Sequence, residues 1–257
     1  MSDAKYYDRY AEQERNRITG EAGLSIAKVF GYMFIGLAIT AAISLGLAAF
    51  FRFVWGINSE QAINETLATN AAITLIVLLI VSAIGLIVLS IVVPITVARG
   101  RHSVLVPALI YSVLMGIMLS TICIFVPWSL LGLTFGITSL VFGLMALIAL
   151  LSKGRLNGLA IAAMGLFFGA AILSLVLWMM MLFGVFSGTL YWIVSLATFA
   201  AVMLITIWDM ARIKAIAQQG EMTKNISLYC AFVLYNDFIY IFLRILRIVL
   251  IVFARRN

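Results

Sequence analysis

The stretch AITLIVLLIVSAIGLIVLSIVVPITV, residues 72–97, decides the fold class. It holds no charged side chain and a single proline, Pro94. As a helix rising about 1.5 Å per residue it is about 39 Å long, more than the roughly 30 Å hydrocarbon core of a bilayer. Five further apolar runs approach or exceed the length a span needs: 29–51, 104–122, 129–151, 158–182 and 190–208. A seventh, 226–253, is long enough but carries Asp237, Arg244 and Arg247. The alternation of polar and apolar residues that marks a lipid-facing β-barrel is replaced by unbroken apolar runs. The reading is an all-α, polytopic membrane protein.

Composition agrees. The 257 residues are 65% hydrophobic and 11% charged, against roughly 45–50% and about 25% in soluble domains. Mean hydropathy is +1.17. So little charge cannot wet a globule, which excludes a cytosolic enzyme, a disordered chain and a secreted disulfide scaffold. The net charge of +7 comes from basic residues placed between apolar runs. They read topology and anionic lipid headgroups rather than nucleic acid. Cys123 and Cys230 fall near opposite membrane faces on the topology below, so no disulfide is expected between them.

Residues 1–28 form a polar tail with mixed charge and no apolar core, unlike a signal peptide. Residues 29–257 form the transmembrane domain. Basic residues crowd the tail and alternate loops: Arg99 and Arg101, then Lys153 and Arg155, then Arg212, Lys214 and Lys224. The loops between hold only Arg52. The Lys/Arg bias places the N-terminus in the cytoplasm. Pro107 and Pro127 open their helices, where a missing N–H costs little. Pro94 lies inside helix two and permits a kink there. Gly132, Gly136, Ser139 and Gly143, and again Gly158, Ala162, Gly165 and Gly169, form small-residue stripes that read as close helix packing.

Enzymatic motifs are missing. His102 is the single histidine, so neither HExxH nor a Ser–His–Asp set can be assembled, and there is no phosphate-binding glycine loop. No enzymatic activity and no cofactor are expected. Histidine titrates near neutral pH, but His102 sits beside Arg99 and Arg101 in a short loop and reads as interfacial. The informative groups are Asp209, at the end of the sixth run, and Asp237, inside the seventh. An ionisable group at a helix centre costs about 2.5–3.5 kcal/mol on insertion scales and marks function by default. Structural readings stand beside that one: Asp209 paired with Arg212, and Asp237 paired with Arg244, which shares its helix face.

The strings IWDMARIKAI (207–216) and LYNDFIYIFLRILRI (234–248) resemble the Bax inhibitor-1 family. YSVLMGIMLSTI (111–122) and SLVFGLMALIALLSKGRLNGLA (139–160) are similar to its third helix and its fourth-to-fifth turn. The sequence departs from the family pattern at Met210 and Ala211, which replace a Thr-Gln pair, and at Asn236, Tyr240 and Arg155. The resemblance implies a seven-helix bundle with the last helix central, and a proton-sensitive calcium leak. It implies that Asp209 and Asp237 form a dyad, locked by a basic residue at the inner end of helix two. Arg99 is the candidate for that residue and Arg101 the alternative, with Pro94 as hinge and Arg244 as a supporting group. Two neighbouring carboxylates resist double ionisation and titrate as a pair.

The expected function is therefore a calcium-permeable leak gated by protonation. The expected partners are the lipid bilayer, calcium ions and protons, and the expected place is a membrane, the inner membrane if the source is a bacterium. Two other readings stay open: a non-transporting membrane protein that modulates membrane proteases or stress and cell-death machinery, and a proton-coupled cation exchanger.

Overall fold

The computed structural model describes residues 2–54, 70–99, 103–152, 157–182 and 188–254. Arg101, His102, Lys153 and Arg155 lie outside the described residues. Seven α-helices and no strand are found among those described: α1 Ser2–Val54, α2 Asn70–Arg99, α3 Leu105–Phe125, α4 Trp128–Leu151, α5 Asn157–Leu182, α6 Gly188–Gln218 and α7 Lys224–Ala254. The polar tail and the first apolar run are one continuous helix, so residue 28 is not an element boundary. Six described segments are long and apolar enough to cross a membrane: Gly20–Arg52 within α1, Ile73–Arg99, Leu105–Phe125, Trp128–Leu151, Ile161–Met180 and Gly188–Gln218. The chain is a multi-pass, all-helical integral membrane protein. The seventh helix is not one of these six. It runs unbroken for 31 residues, about 46 Å at about 1.5 Å per residue. Its polar positions set it apart from the others, and it has more buried positions than any other described helix.

The helices gather into two compact units, one up to Gly132 together with Gly220–Tyr235, the other Leu133–Gln219 with Asn236 onward. In the first unit α3 packs along both α1 and α2. Thr40 Oγ1 donates to the Ser112 carbonyl at 2.9 Å. Arg52 Nε and Nη2 donate to the Ile124 carbonyl at 2.9 and 2.6 Å. Both contacts join residues 72 apart in sequence, so α1 and α3 run parallel and in register, as helices separated by one intervening crossing must. Arg52 caps the C-terminus of α3, where the last carbonyls lack intrahelical partners. It reaches the Val126 carbonyl at 3.0 Å as well and stacks over the Trp128 ring at 5.7 Å. Gly116 lets the two backbones meet: a Cβ there would stand 2.9 Å from the Thr40 carbonyl oxygen and from Ile43 Cβ. The end of α2 and the starts of α3 and α7 share a buried cluster of Val93, Val104 and Leu228. Helix α7 therefore enters from the end at which α2 leaves.

In the second unit α5 packs on α6, burying Ala163, Ala170 and Leu177 at every second turn. Lys214 Nζ donates to the carbonyls of Leu150 at 2.6 Å and Ser152 at 2.9 Å, so a cation on α6 caps the C-terminus of α4. Helix α6 ends in a turn completed by Gly220 at φ +73°, the left-handed conformation glycine adopts without a steric cost.

The small-residue stripes are not packing faces. A Cβ at Gly132, Gly136, Gly143, Gly158, Gly165 or Gly169 would meet nothing within 4 Å. Helix α4 buries Leu130, Thr134, Thr138, Phe142, Met145 and Ala149 instead, a parallel stripe turned away from its glycines. Both stripes satisfy helical spacing, so spacing alone does not say which one faces inward.

Candidate functional site

Helix α7 runs antiparallel to α6 in the second unit. Arg244, late in α7, donates from Nη1 to Ser195 Oγ, early in α6, at 2.9 Å. Going back along α7 and forward along α6 brings Asp237 to the neighbourhood of Thr206 and Asp209. Helix α6 continues to Gln218, past the end of its apolar run, and carries Asp209 on a full helical turn rather than at a frayed end. Its buried face is Val194, Ala201, Thr206, Met210, Ile213 and Ala217, with Asp209 half-buried beside it.

Asp237 is 9% exposed, and its Oδ2 has no hydrogen-bond partner among the described residues. The adjacent Phe238 packs against Phe142 and Phe135, with ring centroids at 5.4 and 5.6 Å, which walls this stretch of α7 with apolar rings. The Thr206 hydroxyl hydrogen-bonds the Asp237 carboxyl group, and the Asp209 carboxylate acts on Asp237 electrostatically. Thr206 Oγ1 also bonds the Val202 carbonyl at 2.9 Å. Threonine has one hydroxyl proton, so two arrangements exist. Either Thr206 donates to Asp237 and gives up Val202, or it donates to Val202 and Asp237 supplies the hydrogen of their shared bond.

Arg212 acts on Asp209 electrostatically while its guanidinium stacks over Trp208 at 5.6 Å from the ring centroid. Arg244 is held by Ser195. Arg99 is the exposed last residue of α2, and Pro94 is half-buried within that helix. Proline has no N–H, so the Ser90 carbonyl lacks its usual partner one turn back. Arg99 and Pro94 belong to the first unit and both aspartates to the second. No group of three or more His, Cys, Asp or Glu side chains that could hold a metal is found among the described residues.

Sequence reasoning missed Thr206, Ser195 and a buried polar node in the first unit. In that node Thr40 Oγ1 lies 2.6 Å from the Tyr235 hydroxyl, with the Tyr111 ring edge-on to Tyr235 at 6.1 Å. A signal for Thr206 was present: it precedes Asp209 by three residues, so the two lie on neighbouring parts of one helix face.

The family model described as inhibitor of apoptosis-promoting Bax1 matches residues 24–255. The inner membrane protein YbhL of Escherichia coli strain K12 is 30% identical over 248 residues, 94% of this chain and 97% of that protein. The YbhL of a second Escherichia coli strain matches equally. The uncharacterised protein RP147 of Rickettsia prowazekii is 30% identical over 141 residues, 54% of this chain and 58% of its own. No solved structure matches. Membership rests on nearly the whole length, including both aspartate-bearing helices: the chain belongs to the Bax inhibitor-1 family.

Proposed function

We propose that this protein is a pH-sensitive, calcium-permeable leak channel, opened by protonation of the Asp209–Asp237 pair. The observation that supports this most is the buried Asp237 oxygen with no hydrogen-bond partner among the described residues, set beside a second carboxylate. An unpaired charge in an apolar interior is costly, and a proton or a cation arriving at that oxygen relieves the cost. Calcium takes six to eight oxygen ligands when it is stored. Two carboxylates and a hydroxyl offer fewer, which suits passage rather than retention. The choice of calcium follows from the family resemblance. The name of the Escherichia coli relative supports an inner-membrane location, and the Lys/Arg bias a cytoplasmic N-terminus.

The family resemblance supplies the rest of this reading, in which ionised Asp209 attracts Arg99 or Arg101 with Pro94 as hinge. Protonation removes that attraction, so acid opens the leak. The test is calcium flux into liposomes that hold only this protein, at several pH values. Asp209→Asn should leave flux high at neutral pH with a flattened pH response, and Arg99→Ala should resemble it. Asp237→Asn should abolish the pH response. A normal pH profile in the double Asp209→Asn, Asp237→Asn variant would make the dyad structural and bring the non-transporting interaction reading forward. Strict dependence of calcium movement on an opposing proton gradient would favour the exchanger.

A further inference from the structure

A second cluster of charge lies in the same unit as the dyad but toward the other end of α6 and α7. Arg244 and Arg247 are three residues apart and share a face of α7. Opposite them on α6, Tyr191 and Ser195 are one turn apart. Arg244 Nη1 is fixed on Ser195 Oγ at 2.9 Å. The Arg247 guanidinium lies over the Tyr191 ring, 5.0 Å from its centroid. A surface pocket of about 410 Å³, its open mouth included, runs between these groups, with Trp192 and Phe199 also in its wall. The surface inside it is almost wholly apolar, and the side chains around it include Arg244 and Arg247 and no carboxylate. Arg247 has no part in the proposed gate, and Arg244 is the group that joins this cluster to the helix carrying Asp237.

The position along the helices is telling. Tyr191 stands three residues after the start of α6, and Arg247 seven before the end of α7. At about 1.5 Å per residue these are about 5 and 10 Å from the helix ends. Helix α7, about 46 Å long, outruns the roughly 30 Å hydrocarbon core by about 8 Å at each end if centred. With α7 centred across the bilayer, the pocket falls at the boundary between headgroups and chains. Arginine stems reach the headgroup layer from there, and Tyr and Trp are at home at that depth. Deeper than the charges the α6 wall is apolar, through Leu196, 69% exposed, and Phe199. Charge at headgroup depth above apolar side chains is complementary to one molecule, with a phosphate at one end and acyl chains at the other.

We infer that the α6–α7 pocket binds an anionic phospholipid, its phosphodiester seated between Arg244 and Arg247 and its chains along Leu196 and Phe199. Two planar guanidinium forks offer paired donors to phosphate oxygens. The stacking of Arg247 on Tyr191 and the bond from Arg244 to Ser195 pre-order those forks and lower the entropy lost on binding.

The test uses the full chain purified in a neutral detergent, with retained lipid counted by native mass spectrometry during titration with dioctanoyl phosphatidylglycerol or dioctanoyl phosphatidylcholine. The expected result is one saturable phosphatidylglycerol and no saturable phosphatidylcholine. A basic residue near a lipid surface contributes about 1 kcal/mol, so Arg247→Gln should weaken phosphatidylglycerol about fivefold. Arg247 is exposed and outside the core, so this variant keeps its fold whether or not Arg244→Gln does. Lys224→Gln, an exposed basic residue at the other end of α7, should leave binding unchanged. Equal retention of the two lipids, an unaltered affinity in Arg247→Gln, or an equal loss in Lys224→Gln would each overturn the inference. Displacement of phosphatidylglycerol by equimolar inorganic phosphate would overturn the lipid as the ligand and leave a free-anion site.

Discussion

Replacing Gly116 by alanine tests whether the α1–α3 contact organises the first unit. The new Cβ would stand 2.9 Å from the Thr40 carbonyl oxygen, 2.9 Å from Ile43 Cβ and 3.0 Å from Ile43 Cγ2. Ordinary carbon contacts lie at about 3.5–4.0 Å, so about 0.5–1 Å of separation must be found. None of the three atoms is the free end of a flexible side chain. The helices themselves must part, and the Thr40–Ser112 bond beside the contact must stretch. Overpacking of this kind costs about 1–3 kcal/mol. Against it stands the gain from removing a helical glycine, about 0.5–1 kcal/mol. Gly136→Ala isolates that gain, because its Cβ meets nothing within 4 Å. The expected difference between the two variants is therefore about 1–3 kcal/mol. It is read as apparent melting temperature in detergent, where 1 kcal/mol corresponds to about 2–4 °C for a chain of this size. Gly136→Ala should melt at or above the wild type and Gly116→Ala below it. Equal melting of the two variants would refute the close parallel packing of α1 on α3. A fall in Gly136→Ala alone would restore the glycine stripe of α4 as a packing face.

Two further expectations concern the same unit and the orientation of the chain. Tyr235→Phe removes one hydrogen bond but leaves Thr40 donating to Ser112, and should cost about 0.5–1.5 kcal/mol. Thr40→Val removes both hydrogen bonds of the Thr40 hydroxyl, to Ser112 and to Tyr235, and should cost more, about 1–3 kcal/mol; melting curves in the reverse order would remove Thr40 from the centre of that node. For orientation, after Cys123 and Cys230 are replaced, a cysteine introduced at residue 60 should react with an impermeant thiol reagent added outside, and one at residue 153 should not. Reversed labelling would invert the membrane and move the dyad to the outer face.

The helices were legible because a bilayer demands length and apolarity from each span separately, and residues 72–97 declare both without help from the rest of the chain. Asp237 was legible for the complementary reason, since a carboxyl group in such a run needs an explanation. The capping role of Arg52 was not. In sequence it is one basic residue after an apolar run, and only contact with Ile124, 72 residues away, turns it into the cap of α3. Ser195 was hidden similarly, as one hydroxyl in an apolar run until Arg244 reaches it.

The wrong assignment of the α4 face has a deeper cause. In a soluble helix the buried side is the apolar side, so sequence periodicity points inward. Lipid is as apolar as a protein core, and that contrast disappears. Here it is partly reversed: Thr134 and Thr138 are fully buried on α4 while Leu133, Leu140, Leu144 and Leu147 face outward. The same holds for Thr40, Ser44, Ser112 and Ser120 in the first unit, and for Thr206 in the second. A hydroxyl pointing at lipid has only its own helix carbonyl to bond, whereas an inward one can also reach a second helix, as Thr40 reaches Tyr235 and Ser112. Glycine gives no such signal, because it is tolerated at a close crossing and on a lipid face alike. On α4 the buried threonines mark the inward face where the glycines and Ser139 do not, and on α6 and α7 a buried threonine leads from Thr206 to Asp237.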